Sequence, residues 1–198
     1  EATRYLTRSV SVQENAQALE LLGLLQLRKG DAAQAATTLE RARSVHQDAA
    51  QYDPLSKAFF AARLGRMMGD AQELQKEGAG TEIRKSSLRQ YEQLLGAGKL
   101  PPERRAEAEI ERGRLYYQLG DREQSLLAFR LAADQLPSAE ENNKNAGALY
   151  ADSIAFLVQR GELDLALDIY HRALSSQQLG EPLKVYCSLW LLDLQARA

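Results

Sequence analysis

The sequence predicts an all-α protein, a right-handed α-solenoid built from helix-turn-helix pairs. Three observations lead to this prediction. Ala, Leu, Gln, Glu and Arg dominate a chain with only 7% aromatic residues, and such a composition favours helices over sheets. A short motif, a glycine followed by an acidic residue, recurs in the sequence, and apolar residues at helical spacing flank each copy. All 5 prolines fall in the inferred connections, where they interrupt no helix.

The recurring motifs predict the turns within the helix pairs. They centre on Gly30, Gly69, Gly120 and Gly161, and Asp or Glu follows each glycine. Glycine adopts the left-handed conformation that ends many helices, and an acidic residue suits the N-terminus of the helix that follows. We therefore predict a tight helix–helix turn at each of these glycines.

The prolines and polar spacers divide the chain into successive elements. We predict a single array over residues 1–198: a tail helix (3–13), repeat 1 (16–48), an irregular repeat 2 (55–97), repeat 3 (103–136), repeat 4 (146–176) and a terminal helix (182–197). Within repeat 2, residues 70–82 contain two glycines and few apolar residues, which predicts a mobile insertion between the paired helices. Because the chain starts at Glu1 and no stop signal follows its last apolar pattern, we expect a piece of a longer protein with further repeats or domains.

Small and large residues also follow one another at helical steps around the turns. Gly113 and Tyr116 precede Gly120, and Ser125 and Phe129 follow it. A similar pattern surrounds Gly30, where Gly23 comes before and Ala35 and Leu39 come after. We expect the first-helix glycines to mark the closest approach of two helices. The pattern resembles the tetratricopeptide repeat, a helix-turn-helix unit of about 34 residues, although the turn glycines here are spaced more widely.

This resemblance implies a scaffold that binds proteins or peptides and performs no catalysis. In the family, the first helices of successive pairs line a concave groove. The same register selects these groove positions here: Gln17, Glu20, Leu24, Phe59, Arg63, Arg66, Ile110, Arg114, Tyr117, Ala151, Ala155 and Gln159. Arginines interleaved with apolar side chains suit a partner segment that carries acidic and apolar residues. The competing interpretation is that the arginines at these positions are ordinary surface residues without a binding role.

Two alternatives remain open on the sequence alone. The first is a regulatory or sensor segment in which an effector peptide or small molecule alters the superhelix, and the insertion 70–82 is the feature that favours it. The second is self-association through the ends of the chain. Chaperone-binding members of the family hold a terminal carboxylate with Lys and Asn, but Glu20 and Leu24 stand in the corresponding stretch here. We therefore do not expect capture of an acidic C-terminal tail in that mode.

Charge and motifs exclude several other classes of function. A net charge of −2 offers no basic excess for nucleic acid, and no apolar run is long enough for direct insertion into a membrane. His46 and His171 lack metal ligands at regular spacing, and we interpret both as solvated or ion-paired histidines. Cys187 lies among apolar neighbours, as a buried, inert thiol would. We predict no cofactor, no metal and no catalytic residue in a soluble chain, with the cytoplasm favoured over the periplasm.

Overall fold

The structure, a computed structural model, describes residues 15–140 and 146–175. These two ranges contain eight α-helices and no β-strand. In chain order the helices are α1 (Ala16–Lys29), α2 (Ala32–Asp48), α3 (Pro54–Gln75), α4 (Thr81–Gly96), α5 (Pro102–Gln118), α6 (Arg122–Glu140), α7 (Ala146–Gln159) and α8 (Leu163–Ser175). The predicted tail helix (3–13), the terminal helix (182–197) and Cys187 lie outside the described residues.

The helices pack in neighbouring pairs: α1 with α2, α3 with α4, α5 with α6, and α7 with α8. The predicted all-α fold of paired helices is therefore confirmed over the described ranges. The chain divides into two compact units, Glu1–Gly96 and Ala97–Ala198, and each contains two of these pairs. We call them unit 1 and unit 2.

Glycines in the left-handed region end the first helix of three pairs, as the sequence predicts. Gly30 has φ 82°, Gly120 has φ 86° and Gly161 has φ 77°. At the other end of a helix, the Asn15 side chain accepts a hydrogen bond from the amide of Gln17 at 2.8 Å and caps α1. Local chemistry of this kind sets the ends of these helices independently of the rest of the fold.

The predicted turn at Gly69 is wrong, and residues 70–82 form the end of α3, a short connection and the start of α4 in place of the predicted insertion. Helix α3 continues through Gly69 to Gln75, and α4 already begins at Thr81. The turn of this pair contains Gly78, which has the left-handed φ of 77°. Gly69 instead lies where the two helices cross: a Cβ atom there would come 2.7 Å from Cγ of Arg84. A glycine required by close packing therefore looks, in sequence, like a glycine required by a turn.

A carboxylate orders the short connection between α3 and α4. The Glu73 side chain accepts hydrogen bonds from the amides of Gly78 at 2.8 Å and Gly80 at 3.3 Å. Arg84, which is 9% exposed, donates to Glu73 at 3.3 Å and to Asp70 at 2.9 Å. The amide hydrogen bonds and the Arg84 charge lower the pKa of Glu73, so that this carboxyl stays ionised in the turn. The long insertion over residues 70–82 that favoured a sensor role is therefore absent, because α3 ends at Gln75 and α4 begins at Thr81.

In unit 1, close helix contacts depend on a missing side chain and on a serine. A Cβ atom at Gly23 would lie 2.6 Å from Cδ2 of Leu39, which is fully buried on α2. The Ser87 hydroxyl of α4 donates to the carbonyl oxygen of Ala62 on α3 at 3.0 Å. Each first helix can therefore come closer to its second helix than two bulky side chains would allow.

In unit 2, a glycine without a side chain and a serine hydrogen bond occur together at Gly113. A Cβ atom at Gly113 would lie 2.8 Å from two ring carbons of Phe129, and Phe129 is fully buried. The Ser125 hydroxyl on α6 donates to the carbonyl oxygen of Gly113 at 2.8 Å. Phe129 also stacks on Phe156 of α7, with 5.4 Å between the ring centroids. The close approaches predicted at Gly23 and Gly113 are thus confirmed, and the second of them positions α7.

Candidate functional site

In unit 1, an ion pair joins the first helices of the two pairs. Arg63 on α3 donates from Nη2 to Oε2 of Glu20 on α1 at 2.7 Å, and its Nε lies 2.7 Å from the other carboxylate oxygen. The guanidinium also lies over the ring of Phe60, 5.4 Å from the centroid. A two-point contact of this type fixes both side chains and holds α1 against α3. Two of the predicted groove residues are therefore brought together, as partners of each other.

The other predicted residues of unit 1 differ widely in exposure. Gln17 is exposed, and Leu24 is partly buried against the core of the unit. Arg66 donates to Asp70, one turn further along α3, at 2.9 Å. Phe59 is 3% exposed and makes an edge contact with Tyr91 of α4, with centroids 5.6 Å apart. The assignment of Phe59 to the groove is wrong because its side chain belongs to the contact between α3 and α4.

In unit 2, a second arginine joins the first helices of two pairs. Arg114 on α5 donates to Glu111 at 2.7 Å and to Asp152 on α7 at 2.8 Å. Its guanidinium lies 5.6 Å from the ring centroid of Phe156. Units 1 and 2 thus use the same arrangement: an arginine over a phenylalanine ring, paired with a carboxylate of the neighbouring first helix.

The remaining predicted residues of unit 2 do not all face outward. Ile110 is 2% exposed and lies in the core of the unit, so its assignment to the groove is wrong. Ala151 and Ala155 are partly buried, and Gln159 is exposed at the end of α7. A step of four residues turns a helix by about 40° beyond one full turn. This rotation is enough to move one member of such a series from the surface into the core.

The best-defined candidate site combines Tyr117, Phe156 and Arg160. The Tyr117 ring meets Phe156 edge-on, with centroids 5.7 Å apart. The Arg160 guanidinium lies over both rings, 5.4 Å from the centroid of Tyr117 and 5.3 Å from that of Phe156. Arg160 is exposed, and no carboxylate pairs with it in the described part of the chain. We call these three residues the aromatic–arginine cluster.

Sequence reasoning finds Tyr117 but misses the other two members of this cluster. The predicted groove face of α7 runs through residues 151, 155 and 159. The face of α7 that contacts Arg114 and Tyr117 of α5 runs through Asp152, Phe156 and Arg160. The two series have the same spacing and differ by a single position. The presence of an aromatic residue and two charged residues in the second series is the signal that favours it, because the energetic centres of protein interfaces are in general enriched in aromatic and arginine side chains.

Three carboxylates of α5 lie in ion pairs with arginines of the same helix. Glu107 lies against Arg104 at 2.9 Å, Glu109 against Arg112 at 2.8 Å, and Glu111 against Arg114. Burial raises the pKa of Glu109, and the nearby arginines only partly oppose this effect. These acids thus serve separate intrahelical ion pairs along α5.

His46 is neither solvated nor ion-paired, so the sequence-based interpretation of this residue is wrong. Its ring is 6% exposed and stacks between Tyr52 and Phe60, at centroid distances of 4.1 and 3.9 Å. Burial lowers the pKa of His46, and the charges of Lys57 and Arg63 lower it further. His171, by contrast, is exposed on α8, with Tyr170 beside it at a centroid distance of 5.7 Å.

Within residues 15–140 and 146–175, no group of three His, Cys, Asp or Glu side chains is placed to hold a metal ion. None of the helices in those ranges combines the length and the apolar character needed to cross a bilayer.

No family model matches the sequence, and no curated protein matches it. Among solved structures, the crystal structure of MamA is similar with a TM-score of 0.38 and 14% identity, over 88% of this chain and 86% of that chain. Function is therefore inferred from the residues of this chain.

Proposed function

We propose that this chain is a protein-binding scaffold in which the aromatic–arginine cluster of unit 2 docks a partner segment carrying acidic and apolar side chains. The observation that carries the proposal is Arg160, an exposed guanidinium held over two aromatic rings without a carboxylate partner in the described ranges. The resemblance of the sequence to the tetratricopeptide repeat supports the same class of function.

The physical case begins with the charge of Arg160. A guanidinium can hold a carboxylate through two parallel hydrogen bonds, which gives both strength and orientation. Stacking on Tyr117 and Phe156 already restricts the Arg160 side chain, so less conformational entropy is lost when a partner binds. Tyr117 and Phe156 are both partly exposed and offer apolar area beside the charge, which favours a segment with an acidic residue next to an apolar one.

The other arginines have a different role in this proposal. Arg63 and Arg114 are paired with Glu20 and Asp152, and we propose that they hold the first helices of their units together. Ala151, Ala155 and Gln159 are next to Asp152, Phe156 and Arg160 in the sequence of α7, and we propose that they extend the binding surface. The acidic segment would contact Arg160 before any arginine that already has an intrachain partner.

The test starts with peptides selected from a random displayed library on the immobilised wild-type chain. A selected peptide is labelled with fluorescein, and its Kd is measured by anisotropy for wild type, Arg160→Gln and Arg130→Gln. Arg130 is an exposed arginine on α6, so its variant makes the same change of charge within the same unit. We expect Asp or Glu next to Leu, Ile or Phe in the selected peptides.

Loss of the charged contact to Arg160 should weaken binding by roughly tenfold, while Arg130→Gln should leave the Kd unchanged. Equal weakening by both variants would mean that only net charge matters. Selected peptides without acidic residues would contradict the proposed partner chemistry.

A further inference from the structure

Unit 1 contains a cavity of about 590 Å³ between the last turns of α2 and the first turns of α3. Its lining includes His46, Phe60, Ala58 and Ala61, with the cationic side chains of Arg43 and Lys57. A volume of this size lies within the range of about 300–1,000 Å³ that is typical of ligand sites. The cavity belongs to unit 1, so an inference about it does not depend on the function proposed for unit 2.

The cavity contains a rigid aromatic wall. His46 stacks nearly parallel to Tyr52 and Phe60, with interplanar angles of 7° and 11°. A ring held on both faces cannot rotate freely, and its edge keeps one orientation. The described residues provide His46 with stacking partners but with no hydrogen-bond partner. An imidazole N–H therefore remains for an acceptor from outside.

The charge of the lining residues is positive. Arg43 and Lys57 are its charged members, and no carboxylate is among them. Lys57 donates from Nζ to the carbonyl oxygen of Gln47 at 2.8 Å, and no carboxylate among the described residues forms an ion pair with it. Arg43 pairs with Glu40 at the surface, where both side chains are about half exposed, and such a pair contributes little to stability. Arg43 is therefore able to exchange this partner for a bound carboxylate.

The backbone around the cavity argues against a site for free phosphate. Phosphate sites at helix N-termini use unoccupied backbone amides. At the N-terminus of α3, the Asp53 side chain already accepts from the amides of Leu55 and Ser56, at 2.9 and 3.0 Å. Recognition in the cavity would therefore depend on cationic side chains beside apolar walls, a combination that matches a carboxylate with an apolar neighbour.

We propose that this cavity is a second binding site and that its occupant is a peptide segment of a partner protein, with an acidic side chain next to an apolar one. The carboxylate lies between Lys57 and Arg43, with the His46 N–H as a further donor. The apolar side chain packs against Phe60, Ala58 and Ala61. The proposed site lies on the second helix of one pair and the first helix of the next, within unit 1, whereas the aromatic–arginine cluster belongs to unit 2.

The experiment is an NMR titration of the full chain with acetyl-Leu-Asp-Leu-amide, up to about 10 mM, since a short peptide of this type is expected to bind in the millimolar range. Its asparagine analogue and sodium phosphate are titrated in parallel. We expect the peptide to shift the His46 ring signals and the amides near the facing ends of α2 and α3. The asparagine analogue should bind at least five times more weakly.

Two variants and a matched control locate the site. Lys57→Gln keeps a donor for the Gln47 carbonyl but removes the charge, and it should weaken binding at least fivefold. Ala58→Phe fills the cavity from an exposed position and should abolish the peptide-induced shifts. Lys29→Gln makes the same charge change on an exposed residue of α1 and should have no effect.

Several results would overturn the proposal. Equal affinity for the aspartate and asparagine peptides would show that charge is not recognised. Phosphate that shifts the same signals at lower concentration than the peptide would identify a free-anion site. Shifts of these signals on raising the protein concentration alone would show that a second copy of the chain occupies the cavity.

Discussion

Replacing Gly113 with leucine tests the closest helix contact of unit 2. A Cβ atom there would lie 2.8 Å from Cδ2 and Cε2 of Phe129, well inside the optimum separation of about 3.5–4.0 Å between carbon atoms. The ring has no room to retreat because it is fully buried and stacks on Phe156. Gly113→Leu therefore has to push α5 and α6 apart or force Phe129 out of its rotamer.

The expected cost follows from two opposing effects. Overpacking of a core costs about 1–3 kcal/mol, and the absence of free space around Phe129 favours the upper end of this range. Leucine is a better helix former than glycine, which offsets up to about 0.8 kcal/mol. The net loss in the free energy of unfolding should be about 2 kcal/mol.

Urea denaturation followed by circular dichroism measures this loss, and hydrogen exchange with mass spectrometry locates it. Gly96→Leu is the control because a Cβ atom at that helical position meets nothing within 4 Å. In an array of repeats stability is lost locally, so exchange should accelerate in α5 and α6 and not in α1 and α2. Unchanged stability of Gly113→Leu, or uniformly faster exchange through both units, would refute this reasoning.

Three further predictions concern individual side chains. Glu73→Gln should accelerate hydrogen exchange at the amide of Gly78, while Glu77→Gln, an exposed neighbour, should not; equal rates would contradict a turn held by Glu73. The pKa of His46 is lowered in the folded state, so the unfolded chain binds more protons below the ordinary value of 6.5 and stability falls as the pH drops through that region. The urea midpoint should therefore decrease from about pH 7 to about pH 5, and His46→Phe should decrease less; an identical decrease would exclude His46 as the source. Ser125→Ala removes a buried hydrogen bond between α5 and α6 and should cost about 1 kcal/mol in urea denaturation, whereas a neutral result would show that this bond adds nothing.

Most turns and close helix contacts could be predicted from the sequence because they depend on neighbouring residues. At Gly30, Gly120 and Gly161, a glycine in the left-handed conformation ends a helix after a stretch of apolar residues at helical spacing. This signal does not depend on what the helix packs against. Gly69 has the same kind of sequence neighbours and a different role, since its lack of a side chain accommodates Gly80 in the connection and Arg84 in the next helix. Local sequence cannot distinguish these two roles because the contact comes from outside the local segment.

The candidate site was less predictable because exposure depends on packing. The helical step that places Arg63 and Arg114 toward a neighbouring first helix also places Phe59 and Ile110 in the core. The angular difference between consecutive members of such a series is only about 40°. Whether a residue on the edge of a helix face is buried depends on the helix beside it.

The sequence by itself determined that this chain forms helices, where most of them end, and which glycines allow pairs to pack closely. Those properties follow from propensity, periodicity and backbone conformation within a few residues. The tertiary structure decided which arginines have a partner. Glu20 lies 43 residues from Arg63 and Asp152 lies 38 residues from Arg114, and only the packing of the first helices brings these charges together. The same packing holds Arg160 over the rings of Tyr117 and Phe156, and no carboxylate in the described ranges pairs with it.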